Sequence, residues 1–301
     1  MRLFLIYLRE TITILSMKTK VALESTVITH GLPRPINFEI ALEIEAAVRS
    51  GGAEPCMMAI LEGSIYAGLQ REQLEALATK EEVRKCSLRD LPIIKQTGEW
   101  GGTTVSATLF LALRNQIQVF ATGGIGGIHR GDPSDVSADL PALAHLPGTV
   151  VCAGAKSILD LPRTRERLET DGVSVLGWQT EDFPAFYSQK SGLQVDQRVD
   201  SGEAVAEMIK HRNELGLKQC ILVTVPCPAE FALPSDEMES AIVDAEKAAN
   251  VLGIGGKELT PFLLNRLAEA TEGRSLAANR ALLCNNARVA AEIAVAFSKI
   301  S

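Results

Sequence analysis

The sequence predicts an α/β protein, with helices on both faces of a largely parallel or mixed sheet in a three-layer α/β/α sandwich. Three observations carry that expectation. Short runs rich in Val, Ile and Leu alternate with longer stretches of helical period, the order produced by strands joined through crossover helices. Apolar residues make up 46% of the 301 positions and charged residues 22%, enough to fill a buried sheet and two helical layers. No repeat and no Pro/Gly/Ser linker divides the chain, so residues 20–301 read as one domain, with residues 1–19 as an N-terminal extension.

The strand candidates come in order as "KVALEST", "EPCMMAIL", "QIQVFATGG", "GTVVCAG", "GVSVLGW" and "KQCILVTVP". Each is a nearly continuous apolar run closed by Gly, Pro or polar residues, as expected of strands buried on both faces. Helices are expected at Pro35–Ser50, Arg71–Ala78, Thr103–Arg114, Ser201–Leu215, Ser235–Val251 and Thr260–Thr271. In the first of these, Ile40, Ile44, Ala47 and Val48 fall on one face, which is the spacing of an amphipathic helix. Ser275–Ile300 is a long alanine-rich segment of good helix formers. "TEDFPAFYSQKSGLQVDQRVD" interrupts the alternation and reads as a small excursion over the sheet.

A net charge of −7 argues against a general nucleic-acid binder, which would present a basic surface to phosphates. It leaves room for a small anionic substrate in a local basic pocket. The six cysteines are scattered, with no C-x-x-C pair, and several stand in apolar runs. They read as buried thiols in a reducing compartment, the cytoplasm. "LFLIYL" near the start is broken by Arg9 and Glu10, has no A-x-A site after it, and is far short of a membrane span. Met17 opens "MKTKVALES" and offers an alternative start.

Polar residues gather where apolar strands end, and in open α/β sheets that is where ligands bind. "VALEST" delivers Glu24, Ser25 and Thr26 to a strand mouth with His30 close behind. Glu24 is a general acid/base candidate, although a lone strand-end glutamate is more often a surface residue. Lys156 follows the apolar strand in "VVCAGAKSILDL" and is expected to open a helix, where the dipole favours the neutral, nucleophilic amine. The competing reading is a solvated lysine. "GGTTVSATL" places backbone N–H groups and hydroxyls before a helix, a weak anion-binding signal.

"FATGGIGGIHRGDPSDVSADL" combines a glycine loop with Asp132, Asp135 and Asp139. Its glycines match G-x-G-x-x-G only imperfectly, which makes a dinucleotide site improbable. The aspartates are hard oxygen donors suited to magnesium or manganese, or else turn formers. Thr122 and His129 share the loop and are weaker candidates for contact with phosphate or metal-bound water; His129 fits a structural role equally well.

Taken in order, "VALESTVITHGLPRP", "KCSLRDLP", "GGTTVSATL", "FATGGIGGIHRG", "DVSADL", "VVCAGAKSILDLP", "GKELTPFLL" and "SLAANRALLCNNARVAAEIA" resemble the pseudouridine-5'-phosphate glycosidase family. The resemblance runs from about Lys20 to Ile300. It implies reversible cleavage of the C–C glycosidic bond of pseudouridine 5'-phosphate to uracil and ribose 5-phosphate. It also implies a divalent metal, typically manganese, and a homotrimer. A carbon leaving group is poor, and the family's answer is a lysine Schiff base with the ring-opened sugar, which splits one hard step into easier ones.

Carried onto this sequence, Lys156 matches the nucleophile, Glu24 the proton donor and Asp135 the metal-associated aspartate. Ser137, Ala138 and Asp139 match a substrate-binding segment, and Lys85, Val105 and Asn279 match further substrate contacts. The chain departs from the family pattern at Val225, where an asparagine is usual, and Leu259 is a second possible departure. The resemblance leaves two rivals: another Schiff-base sugar-phosphate lyase or aldolase, and a non-catalytic sugar-phosphate-binding protein.

Overall fold

The computed structural model describes residues 19–255 and 259–301. The extension read over residues 1–19 therefore lies, apart from Thr19, outside the described residues, as does the start of "GKELTPFLL". The expected centre of the sheet is present. Strands β1 (Lys20–Glu24), β2 (Glu54–Leu61), β6 (Val119–Ala121), β7 (Thr149–Cys152), β8 (Ser174–Trp178) and β10 (Ile221–Thr224) correspond to the six predicted runs. They pair in parallel in the order β2-β1-β6-β7-β10-β8. Their interiors are almost wholly buried, which is why the sequence shows continuous apolar runs there rather than alternation.

Shorter strands finish the sheet. β3 (Ser64–Ala67) makes an antiparallel hairpin with β2, and β5 (Gly101–Thr103) also pairs antiparallel to β2. β4 (Arg84–Cys86) lies parallel to β5, and β9 (Gln197–Val199) lies parallel to β8. The sheet is therefore parallel in the middle and mixed at one end. These three- and four-residue strands are too short to show a period in the sequence.

The seven expected helices form, with ends shifted by a residue or two. They are α1 (Ile36–Ser50), α2 (Arg71–Thr79), α4 (Val105–Arg114), α7 (Gly202–Glu214), α8 (Ser235–Leu252), α9 (Leu259–Ala270) and α10 (Arg274–Ser298). Helix α10 lies across the sheet centre against β1, β6 and β7, between α1 and α7. Its alanines let other backbone come close: a Cβ added at Gly51 would sit 2.5 Å from that of Ala291. Helix α4 covers β1, β2 and β6 from the other face and packs against α5 (Asp139–His145).

Three helices were not expected: α3 (Leu91–Thr97), α5 and α6 (Leu161–Thr170). Helix α6 buries only Thr164 and Leu168, so its sequence carries no apolar stripe. It starts with Pro162 in its first turn and Asp160 as N-cap, accepting from the Arg163 N–H at 3.0 Å. One expectation is corrected here. Lys156 does not open a helix: Gly154 takes a φ of +85°, and short bridges (Ile125 to Ala155, His129 to Leu159) hold the chain outside helical geometry until Leu161. The dipole argument for Lys156 falls away with it.

The stretch 180–196, between β8 and β9, is the expected excursion. It buries Phe183, Phe186 and Tyr187, and the Phe186 N–H donates to the Ala153 carbonyl at 3.1 Å, just past the end of β7. The cysteines are unpaired and, except for the half-buried Cys284, buried. Burial pushes the thiols of Cys152, Cys220 and Cys227 up to about 12, so they behave as inert core groups.

Candidate active site

The chain leaves β1 toward β2 on one side, and the next central strand, β6, lies on the other side of β1. Such a reversal opens a crevice at the carboxyl ends of the strands. Glu24 ends β1, Thr122 follows β6, and Lys156 stands four residues past β7. The reversal and the strand ends bring these residues to one place.

A cleft of about 550 Å³ holds Glu24, Lys85, Val105, His129, Asp135, Ser137, Ala138, Asp139 and Lys156. Its narrow end, which shares Glu24, Lys85 and Lys156, is lined by His30, Gly123, Gly124, Phe186 and Asn279. Of the residues expected at the site, two do not line this crevice: Thr122, which is buried and donates to Glu24, and the exposed Asp132. A larger cavity of about 640 Å³ opens beside α6 and α8 and holds none of them. Shifted acids and bases converge in the first cleft, and that convergence marks it as the site.

Glu24 is buried, yet both of its carboxylate oxygens are engaged. Thr26 Oγ1 donates to Oε2 at 2.7 Å, and Thr122 Oγ1 donates to Oε1. Burial pushes its carboxyl above the ordinary value of 4.5; the charge of Lys156 and the two hydroxyls pull the other way, and the charge of Asp139 adds to the rise. A carboxyl held between charge states beside an amine is suited to moving protons.

Asp139 begins α5, and its carboxylate is spent on the protein's own backbone. It accepts from the Ser106 N–H at 3.0 Å and from the Gly126 N–H at 2.8 Å. The staple joins the first turn of α4 to the glycine loop, so Thr104 and Val105 meet the cleft in a fixed place. The glycines of that loop make room for protein side chains. A Cβ at Gly126 would lie 2.2 Å from Ser137 Oγ, and one at Gly124 would lie 2.6 Å from the Phe186 ring. In "GGTTVS" the glycines belong to β5 rather than to a phosphate loop.

His129 donates its backbone N–H to the Asp135 carbonyl at 3.0 Å. Burial holds its imidazole below the ordinary value, the charge of Asp135 opposes this, and Lys85 and Lys156 reinforce it. Asp132 is an exposed turn former, accepting from Ser134 N at 2.8 Å and Oγ at 2.7 Å; it does not join the cleft. Among the described residues no three His, Cys, Asp or Glu side chains gather as a metal cluster. Val225 is packed in the core with its N–H on the Cys152 carbonyl at 2.8 Å. Leu259 packs against that core as well, and neither residue lines the cleft.

Residues 13–296 match the family described as indigoidine synthase A like protein. A relative from Caldanaerobacter subterraneus subsp. tengcongensis, named pseudouridine-5'-phosphate glycosidase, is 52% identical over 282 residues, covering 93% of this chain and 92% of its own. One of the same name from Herpetosiphon aurantiacus is 54% identical over 279 residues, 92% of both chains.

The chain belongs to the pseudouridine-5'-phosphate glycosidase family.

The crystal structure of an indigoidine synthase A-like protein from Thermotoga maritima superposes with a TM-score of 0.88 at 40% identity, covering 93% of this chain and 94% of that one. The prealnumycin C-glycosynthase AlnA in complex with ribulose 5-phosphate gives 0.86 at 37% identity, covering 94% of this chain and 92% of that one. Among the described residues no helix is long and apolar enough to cross a membrane.

Three contributors to the site lie outside the motifs' obvious chemistry. Phe186, from the excursion, lines the narrow end with a φ of +62°; its sequence signal is a cluster of three aromatics, Phe183, Phe186 and Tyr187, in a stretch that otherwise breaks the alternation. Arg89 adds a second cation beside Lys85. Asn286 of α10, fully buried, donates to the Thr122 carbonyl at 2.8 Å and so holds the turn at the end of β6.

Proposed function

We propose that this enzyme cleaves the C–C glycosidic bond of pseudouridine 5'-phosphate reversibly, releasing uracil and ribose 5-phosphate. The observation that carries the reading is Glu24 and Lys156 in one cleft at the strand reversal, with Lys85 where its narrow and wide parts meet and Arg89 in the wide part. The relatives' names supply the substrate, and the bond-forming neighbour with a pentulose phosphate supports a pathway that runs both ways.

The Lys156 amine bonds to C1' as the C1'–O4' bond breaks; the electron pair goes to O4', which takes up the proton the amine gives up, so the sugar ring opens with the base still on C1'. The C1'–C5 bond then breaks with its electron pair going to the base, C5 takes a proton, and C1' is left as an imine on Lys156. Water hydrolyses the imine, returning the amine and giving ribose 5-phosphate. Glu24 moves the protons at base and sugar. Lys85 and Arg89 neutralise the phosphate, with the first turn of α4 beside them. The narrow end, walled by Phe186 and Asn279, takes the flat base.

A divalent ion, manganese in the family, would be held at Asp135. Asp135 is exposed at the rim with His129 beside it, one hard oxygen and one imidazole nitrogen, a sparse donor set that suits an ion keeping waters and substrate oxygens as its other ligands. When bound, it would supply positive charge to the sugar-phosphate oxygens. The working form is read as a homotrimer, which equilibrium sedimentation tests.

The decisive experiment is a manganese-dependent assay of uracil release, with borohydride trapping in ribose 5-phosphate. Wild type should release uracil and become labelled on Lys156. Efficient trapping in Lys156→Ala would defeat the assignment, and turnover of a simple aldol substrate without uracil release would favour the lyase rival.

A further inference from the structure

We propose that Thr26 and Thr122 are positioning residues whose hydroxyls grip one oxygen each of the Glu24 carboxylate, fixing its orientation and favouring its ionised form. The inference rests on the reading of Glu24 as the group that moves protons in this cleft.

The geometry is set by the sheet. β1 and β6 pair with Ala22 opposite Phe120 and Leu23 opposite Ala121, and the next step of that register brings Thr122 beside Glu24. Thr122 is anchored at both backbone groups: its N–H donates to the Val151 carbonyl at 3.0 Å, and its carbonyl accepts from Asn286. Thr26 is fixed from the other side, where the chain turns from β1 into the single π-helical turn Val27–Gly31. Such turns are rare and recur at functional sites.

Each threonine hydroxyl has a single proton. Thr26 spends its proton on Oε2 and Thr122 spends its own on Oε1, so neither oxygen is left bare in a buried wall. That pattern favours the charged carboxylate, since protonating either oxygen makes a hydroxyl turn away. Thr122 is only 3% exposed, which fits a role through Glu24 rather than contact with substrate. The charges that face Glu24 are Lys156, which favours its ionised form, and Asp139, which opposes it. The Cys152 thiol adjoins it as well, and Lys85 and His30 share the cleft.

The variants Thr26→Val and Thr122→Val keep the shape and the β-branch while removing one donor each; Thr→Ser at either site restores the donor. Infrared difference spectra of the free protein across pH, with the Glu24 band identified by its loss in Glu24→Gln, read the carboxyl directly. Each Val variant should move the midpoint to higher pH, the pair should move it further, and Ser should return it. In uracil release, kcat should drop about tenfold with KM nearly unchanged, an effect confined to steps after binding. Folded Val variants whose Glu24 midpoint stays put, or Ser variants that fail to restore it, would overturn the clamp. A midpoint that shifts as expected in a protein whose wild type releases no uracil would uphold the clamp and remove the substrate reading.

Discussion

The two walls of the cleft are built on opposite terms. On the wall formed by β1, β6 and the head of α5, the charged groups are buried and held. Glu24 has a hydroxyl on each oxygen, and Asp139 has a backbone N–H on each. On the other wall Lys85 and His129 are half-buried, and Arg89 and Asp135 are exposed. Glu24, the group proposed to move protons, is desolvated and oriented in advance, where electrostatic effects are strong. The groups proposed to meet an anion or a hydrated cation stay wet, because such partners arrive with their own charge.

The comparison breaks first at the two groups proposed to react, the half-buried Lys156 past β7 and the buried Glu24. Lys156→Ala should take uracil release to background and abolish trapping. Glu24→Gln should cost about 10²–10⁴-fold in kcat, the range for a lost proton-transfer group. The same change should stabilise the fold, with a defined pH dependence. The Glu24 carboxyl is raised in the folded chain from its ordinary value of 4.5, so the native state binds protons more tightly than the unfolded one. Its contribution is present below that value and lost as pH rises through the folded one. Urea unfolding should find Glu24→Gln equal to wild type near pH 4 and more stable at pH 8. Equal stability at both would contradict the buried placement.

Gly126→Ala tests the staple between the walls. The added Cβ would collide with Ser137 Oγ and crowd Asp139 Oδ2, 2.9 Å away. Overpacking of this kind costs about 1–3 kcal/mol, read as a lowered urea midpoint, with kcat falling as α4 and the loop part. Asp135→Asn on the exposed wall should have the smallest effect. It should raise the manganese concentration needed for half-maximal release while leaving activity at saturating metal near wild type. A kcat loss that manganese cannot restore would place Asp135 with the buried wall instead.

The central strands and the long helices are legible in the chain because their burial pattern is local. A strand covered on both faces must be apolar throughout, as "CMMAIL" and "ILV" are; a helix on one face must repeat every three or four residues. β4, β5 and β9 are not legible, because three residues held by their neighbours need no pattern of their own. α6 escapes for a related reason, since it touches the core through only two side chains.

The site divides along the same line. Glu24 and Lys156 stand out in the sequence, since each follows an apolar strand and strand ends in open sheets face ligands. Asp139 also stands out, but its apparent use as a ligand was a matter of chemistry without geometry. Its oxygens go to Ser106 and Gly126, thirty-three and thirteen residues away. Thr122 meets Glu24 across ninety-eight residues, and Phe186 reaches Gly124 from the excursion. The sequence by itself determined the layers, the strand mouths and the candidate reactive groups, because burial and side-chain chemistry are written into single residues and their near neighbours. Only the tertiary structure decided what each carboxylate is for, because strand register and loop packing choose the donors that meet it, and those donors come from distant parts of the chain.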